Sequence, residues 1–334
     1  VATGARSGPA GSLQVAGGFD DVSVLSGRSA WAVGSSDRAG FLRALIARWN
    51  GTGWTRVPAP AGLGFSGLYS VAAASAGSVW AVGWSQPEIS FDRAVILHWD
   101  GRAWKRLPGP ATLPHAYLAG VAATSARNAW AVGGTDSFEP VILRWDGREW
   151  KQVPAPRPAG GGVLSGVAAL SASSAWAVGY STTGNDSPLI LHWNGRAWKQ
   201  VPTPRPANGS ILDGVAAVSA SSAWAVGTTN FGTGGYDLIL RWNGTSWKRV
   251  PGPGHDFLNA VAAVSARDAW AVGSADDKHP VIARWNGTDW KNAALLPGDG
   301  GLDGLAALSA RDAWAVGGVG HKTLILHWNG TIWK

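Results

Sequence analysis

The sequence predicts an all-β protein, a seven-bladed β-propeller with four antiparallel strands per blade. Three observations carry that prediction: a tryptophan-rich motif repeated seven times, a period in the forties, and no sustained 3.6-residue apolar periodicity. Of the 22 tryptophans, 21 form seven sets of three, each reading WAVG, a variable stretch, then W-[ND]-G-x-x-W. The first series is Trp31, Trp80, Trp130, Trp176, Trp224, Trp270 and Trp314, spaced 49, 50, 46, 48, 46 and 44 residues apart. The second is Trp49, Trp99, Trp145, Trp193, Trp242, Trp285 and Trp328, and the third Trp54, Trp104, Trp150, Trp198, Trp247, Trp290 and Trp333. Trp84 alone stands outside the sets.

Residues 211–251 illustrate one repeat. ILDGVAAVSA alternates small and apolar residues and suits a narrow inner strand. SSA makes a tight connection to WAVGT, the second strand. DLILRW alternates as a third, with Leu238, Leu240 and Trp242 on one face and Ile239 and Arg241 on the other. Asn-Gly then supplies the positive φ that a tight hairpin needs. WKRVP is the fourth strand, ended by its proline. The same reading places blades at about 19–58, 67–108, 117–154, 164–202, 211–251, 257–292 and 302–334, after a flexible tail or edge strand over 1–18. Ring closure is expected from packing of the first blade against the last.

Composition narrows the function. The chain has no cysteine, which excludes disulfides, thiolate metal sites and cysteine nucleophiles. No apolar run approaches the ~18 residues of a membrane span, so membrane insertion is not expected. The chain contains no Met, even at its start. Two origins fit this: a secreted product whose leader has been removed, or a chain trimmed artificially. Arginine-heavy, Ala- and Gly-rich usage suggests a high-GC actinobacterial source. The net charge of +7 raises nucleic acid as a partner, but much of the charge belongs to the repeat. Lys105, Lys151, Lys199, Lys248, Lys291 and Lys334 each follow a third-series tryptophan. Arg48, Arg144, Arg241 and Arg284 share one position with His98, His192 and His327. A ring of single charges is not the clustered basic face that nucleic acid requires.

A residue type that recurs at one position in every blade serves the blade. The 21 tryptophans are therefore expected at blade–blade contacts, each indole N–H satisfied by a nearby carbonyl. The Asn-Gly-Thr sequons at Asn50, Asn243, Asn286 and Asn329 belong to the hairpin turn rather than marking glycans.

Strand alternation sorts the connections onto two faces. The strand 1–2 and 3–4 links are uniform; the 2–3 links and the links between blades vary, so binding residues are sought on that second face. Its aromatics concentrate around blades 2 and 3: Phe65, Tyr69, Trp84, Phe91, His115 and Tyr117. Trp84 follows WAVG, where the other blades carry Ser35, Gly134, Tyr180, Thr228, Ser274 and Gly318. It offers either a flat platform for a sugar ring or a plug for its own loop. Gln86, Glu88, Asp92 and Arg93 lie near it in sequence for hydroxyl contacts. The ligand-binding set is thus Trp84, Phe91, Tyr69, Tyr117, His115, Tyr180, Glu88 and Arg93. Asp20, Asp213, Asn259 and Asp303, near the start of their inner strands, are placed to ring the channel mouth and hold a cation or water.

A weaker group, His255, Asp256, Asp276, Asp277, His279 and His321, has metal-ligating residue types but matches no ligand spacing. No cofactor motif is present. No nucleophile elbow, HExxH or phosphate loop appears. The carboxylates a glycosidase would pair (Asp37, Glu88, Asp92, Glu139, Asp186, Asp237) are scattered over different blades. The sequence therefore predicts no enzyme.

The W-[ND]-G-x-x-W turn resembles the Asp-box hairpin of sialidase-type propellers in its Asp or Asn, Gly and Trp, without the leading Ser. As a whole, seven WAVG…[HR]W[ND]G…WK repeats over residues 19–334 resemble the secreted, tryptophan-rich propellers of Streptomyces and relatives. Among these are proteins similar to the lectin-like propeller subunits of umbrella toxin particles. That resemblance implies a secreted, non-catalytic recognition module, docked to a protein partner in an antibacterial assembly and reading a cell-surface glycan. The alternatives are a purely structural protein–protein scaffold and, third, a glycoside hydrolase.

Overall fold

A computed structural model describes residues 13–334 apart from 39, 87–92, 111, 112, 114, 183, 207, 208, 230–235, 255 and 277. Phe91, Glu88, Asp92, His255 and Asp277 therefore lie outside the described residues. The described chain is all β, in seven sheets whose strands pair antiparallel in chain order. The inner strands are Gly18–Ser26, Phe65–Ser75, Ala116–Ser125, Gly162–Ser171, Ser210–Ser219, Asp256–Ser265 and Gly300–Ser309. Each packs beside the next, and the last packs beside the first, which closes the ring. In blade 7 the outer strand shrinks to a Trp328–Trp333 bridge and paired backbone bonds between His327 and Lys334.

The core lies between blades. In blade 5, Leu238, Leu240 and Trp242 pack with Trp176 of blade 4, whereas Ile239 packs with Trp224 towards blade 6. The tryptophans hold each junction: a first-series ring meets the second- and third-series rings of the following blade. Trp80 lies 4.9 Å from Trp145 and 5.0 Å, edge-on at 87°, from Trp150. Trp314 meets Trp49 and Trp54 in the same way, at 5.0 and 5.4 Å. The ring thus closes with the contact used at every other junction.

Only the second series generally satisfies the expected carbonyl bond. Trp49, Trp99, Trp145, Trp193, Trp242 and Trp328 donate to the carbonyls of Gly27, Ala76, Ala126, Ala172, Ala220 and Ala310. The indole N–H groups of Trp80, Trp130, Trp150 and Trp198, among others, find no acceptor among the described residues. Their rings are enclosed by other rings, so tight aromatic packing displaces the hydrogen bond.

The recurrent cations belong to the same junctions. Arg144 lies 5.0 Å from the Trp130 ring and 5.5 Å from Trp193 of the next blade; His327 stacks on Trp314 at 4.2 Å. Part of the positive charge is therefore interblade mortar. The hairpin Asn and Asp also act locally. Asn50 Oδ1 accepts the backbone N–H groups of Thr52 and Gly53 at 2.9 and 3.0 Å.

Residues near the amino-terminal end brace the seam between blades 1 and 7. Val15 N–H donates to Thr323 Oγ1 at 3.1 Å, and the Thr323 hydroxyl donates to the Leu13 carbonyl at 2.8 Å. Ala16 forms an isolated bridge with Lys322.

Candidate functional site

Each inner strand carries one register irregularity near its start, with one residue bulged out of the pairing. A buried Phe or Leu precedes it (Phe19, Leu68, Leu118, Leu164, Leu212, Leu258, Leu302), anchored between blades. The bulged residue is then free to face the axis. Around the ring these residues are Asp20, Tyr69, Ala119, Ser165, Asp213, Asn259 and Asp303, and all seven line one axial cavity of about 520 Å³. Inner strands begin on the face of the variable links, so the cavity opens there.

The cavity has two unlike sides. Blades 5, 6, 7 and 1 contribute Asp213, Asn259, Asp303 and Asp20 in an unbroken arc. Blades 2 and 3 contribute Tyr69 and Tyr117, above the small Ala119 and Ser165. Asn259 Nδ2 donates to Asp303 Oδ1 at 3.0 Å and to the Leu302 carbonyl at 3.1 Å. Asp21 also lines the cavity but clasps blade 2, accepting from Ser70 Oγ and Val71 N–H, both at 2.8 Å. Burial pushes Asp213 up to about 7. Burial pushes Asp303 up to about 6 against the opposing bond from Asn259. Burial likewise raises Asp21 to about 6 despite its hydrogen bonds. Asp20 is raised well above the usual carboxylate range by burial, then by repulsion from Asp303 and Asp21. On the other side, burial and then the charges of Tyr180, Tyr69 and Asp136 lift the Tyr117 hydroxyl to about 12. It is a neutral donor at physiological pH.

The residues expected from sequence divide into separate places. Tyr69 and Tyr117 reach the mouth, and Tyr180 stands behind them within electrostatic reach of Asp213 and Tyr117. Trp84 does not line the cavity. It pairs across the sheet with Gly67, whose missing side chain lets the indole settle on its own blade, 5.5 Å from the Phe65 ring. His115 lines a second hollow of about 460 Å³ with Asp136, Glu139 and Arg157, the last two ion-paired at 3.0 Å. Arg93 is exposed at the start of the third strand of blade 2. His279 and His321 join no group of three potential metal ligands among the described residues. Sequence reasoning noticed the aspartates and the tyrosines but not that Tyr69 shares the ring position of Asp20, Asp213 and Asp303. The signal was available: each follows the buried Phe or Leu of its inner strand. Asp21 was missed as well.

The fold and cavity define a seven-bladed β-propeller with an open axial cavity. No family model matches the chain, and no curated protein matches its sequence. Solved structures share its fold. It is similar to YCF48 bound to D1 peptide, at 15% identity over 96% of each chain with a TM-score of 0.62. It is similar to the WD40 repeats of RRP9, at 14% identity over 91% of this chain and 88% of that one, TM-score 0.61. It also resembles the lectin of the fungus Aleuria aurantia, a six-bladed propeller with a novel fucose recognition mode. There identity is 13%, over 79% of this chain and 93% of the lectin, with a TM-score of 0.52. These likenesses speak to fold, and place lectin-like and WD40 propellers among its structural neighbours.

Proposed function

We propose that this propeller is a non-catalytic, lectin-like module that binds a glycan at its axial mouth, and that it is secreted and docked in a larger assembly. The convergence of Tyr69 and Tyr117 with Asp20, Asp213, Asn259 and Asp303 on one open cavity carries the reading. Aromatic faces suit the apolar side of a sugar ring, and carboxylate and amide groups suit its hydroxyls. Secretion and assembly are supported by the resemblance of the repeats to the tryptophan-rich Streptomyces propellers. A glycan array is expected to give hits, and Tyr117→Ala to weaken the best one about tenfold, about 1.4 kcal/mol, with the fold retained. An empty array overturns the glycan reading. A protein scaffold is the second reading, favoured by the structural likeness to YCF48 bound to D1 peptide. Co-purification with protein partners alongside an empty array would establish it. Raised carboxylic acids in a cleft also suit a glycosidase, so turnover of chromogenic glycosides would replace binding with catalysis.

A further inference from the structure

The axial mouth is lopsided in charge. The chain carries 28 Lys and Arg against 21 Asp and Glu, yet among the described residues the cavity is lined by Asp20, Asp21, Asp213 and Asp303 and by no Lys, Arg or His. Asp21 is occupied by blade 2. Asp303 accepts the Asn259 amide, a neutral partner. Asp20 and Asp213 have no hydrogen-bond or ion-pair partner among the described residues. Asp213 is partly buried in the wall, its side chain lining the cavity. An unpaired carboxylate so placed favours the arrival of a counter-charge. Nothing in the fold demands it, because Ala119 and Ser165 occupy the same bulge position in blades 3 and 4.

We infer that the mouth takes a protonated organic amine and that, within the glycan reading, its ligand is an amino sugar with a free amine. The negative charge is spread along an arc, and no three ligating side chains gather at metal-binding distance among the described residues. Such an arc suits an ammonium group carried on a larger body better than a bare divalent ion. The Tyr69 and Tyr117 rings opposite add an attractive face for the same cation. The sugar in this inference rests on the glycan reading; the amine does not.

Calorimetric titration at about pH 7 separates the two. The probes are a glucosamine oligomer, its N-acetylated counterpart and n-propylammonium chloride. The free-amine oligomer is expected to bind at least about tenfold tighter than the acetylated one, with n-propylammonium competing. Asp213→Asn, checked for fold by circular dichroism, should remove most of that preference. A pH series with n-propylammonium, which keeps its proton throughout, should show weaker binding at about pH 5 than at about pH 8. The groups facing it are Asp20, Asp21, Asp213 and Asp303, with Tyr69, Tyr117 and, behind them, Tyr180; Asp21, Asp213 and Asp303 take up protons across that interval. Equal binding of the two oligomers overturns the amine and leaves the glycan reading standing. Binding of n-propylammonium without binding of either oligomer supports the amine and overturns the glycan. Displacement of n-propylammonium by dilute sodium or calcium assigns the mouth to an inorganic cation and overturns the inference. No binding of any probe overturns it too.

Discussion

At Arg241 the guanidinium lies 5.1 Å from the Trp224 ring and 5.4 Å from Trp285 of the next blade, and donates to the Ala266 carbonyl at 3.1 Å. One side chain thus ties two sheets by a cation–π contact and a charge-assisted bond. Arg241→Ala should cost about 1–3 kcal/mol in urea unfolding. Lysine should restore only part of that, because it lacks the planar face; full rescue by Arg241→Lys would contradict the stacking role. The position was visible in the sequence as a repeating Arg or His, but its partner was not. The partner ring belongs to a different repeat, and spacing along the chain carries no record of which blades touch. Trp84 shows the same limit. Its singularity is plain in the sequence, but its resting place depends on Gly67 across the sheet, a neighbour that only strand register reveals.

The bulged inner strand is the element that makes the site. It lets a buried Leu point between blades while the next residue turns to the axis. The glycine of WAVG lies opposite: in blade 2, a Cβ on Gly83 would collide with the Gly67 carbonyl oxygen. Gly83→Ala should therefore lower stability by about 1–3 kcal/mol, as overpacking does, and should disturb ligand binding because Tyr69 rides on the same bulge. Unchanged stability and binding would mean the bulge is not held by this approach. Strand order and extent were legible from the repeat: the inner strand read as 211–220 runs from Ser210 to Ser219. The bulge was not, because period-two alternation is broken by a residue with no partner, and a sequence shows no pairing. For that reason Tyr69 read as part of an aromatic cluster rather than as a member of the axial ring.

Across the whole molecule the four axial aspartates couple stability to pH. Each holds its proton more tightly in the folded state. Between 3.8 and about 6 for Asp21 and Asp303, or about 7 for Asp213, the folded chain carries the extra protons, so their contribution to stability falls as pH rises. His98 and His192, whose values burial lowers, act in the opposite sense below 6.5. Comparison with a variant cancels them. Asp213→Asn should melt higher than the parent at about pH 8, the difference fading towards about pH 4. A variant that melts lower at about pH 8 would show that the carboxylate stabilises the fold. The closed ring itself was legible from seven repeats, while the unequal distribution of charge around its axis emerged only when the blades were set side by side. The tryptophan triads carry a further consequence. Rings 4.9 to 6.1 Å apart are electronically coupled, so light absorbed by one indole is shared among three before it is emitted. The protein's ultraviolet emission therefore loses its polarisation without any tumbling, and its near-ultraviolet dichroism reports whether neighbouring blades remain in contact.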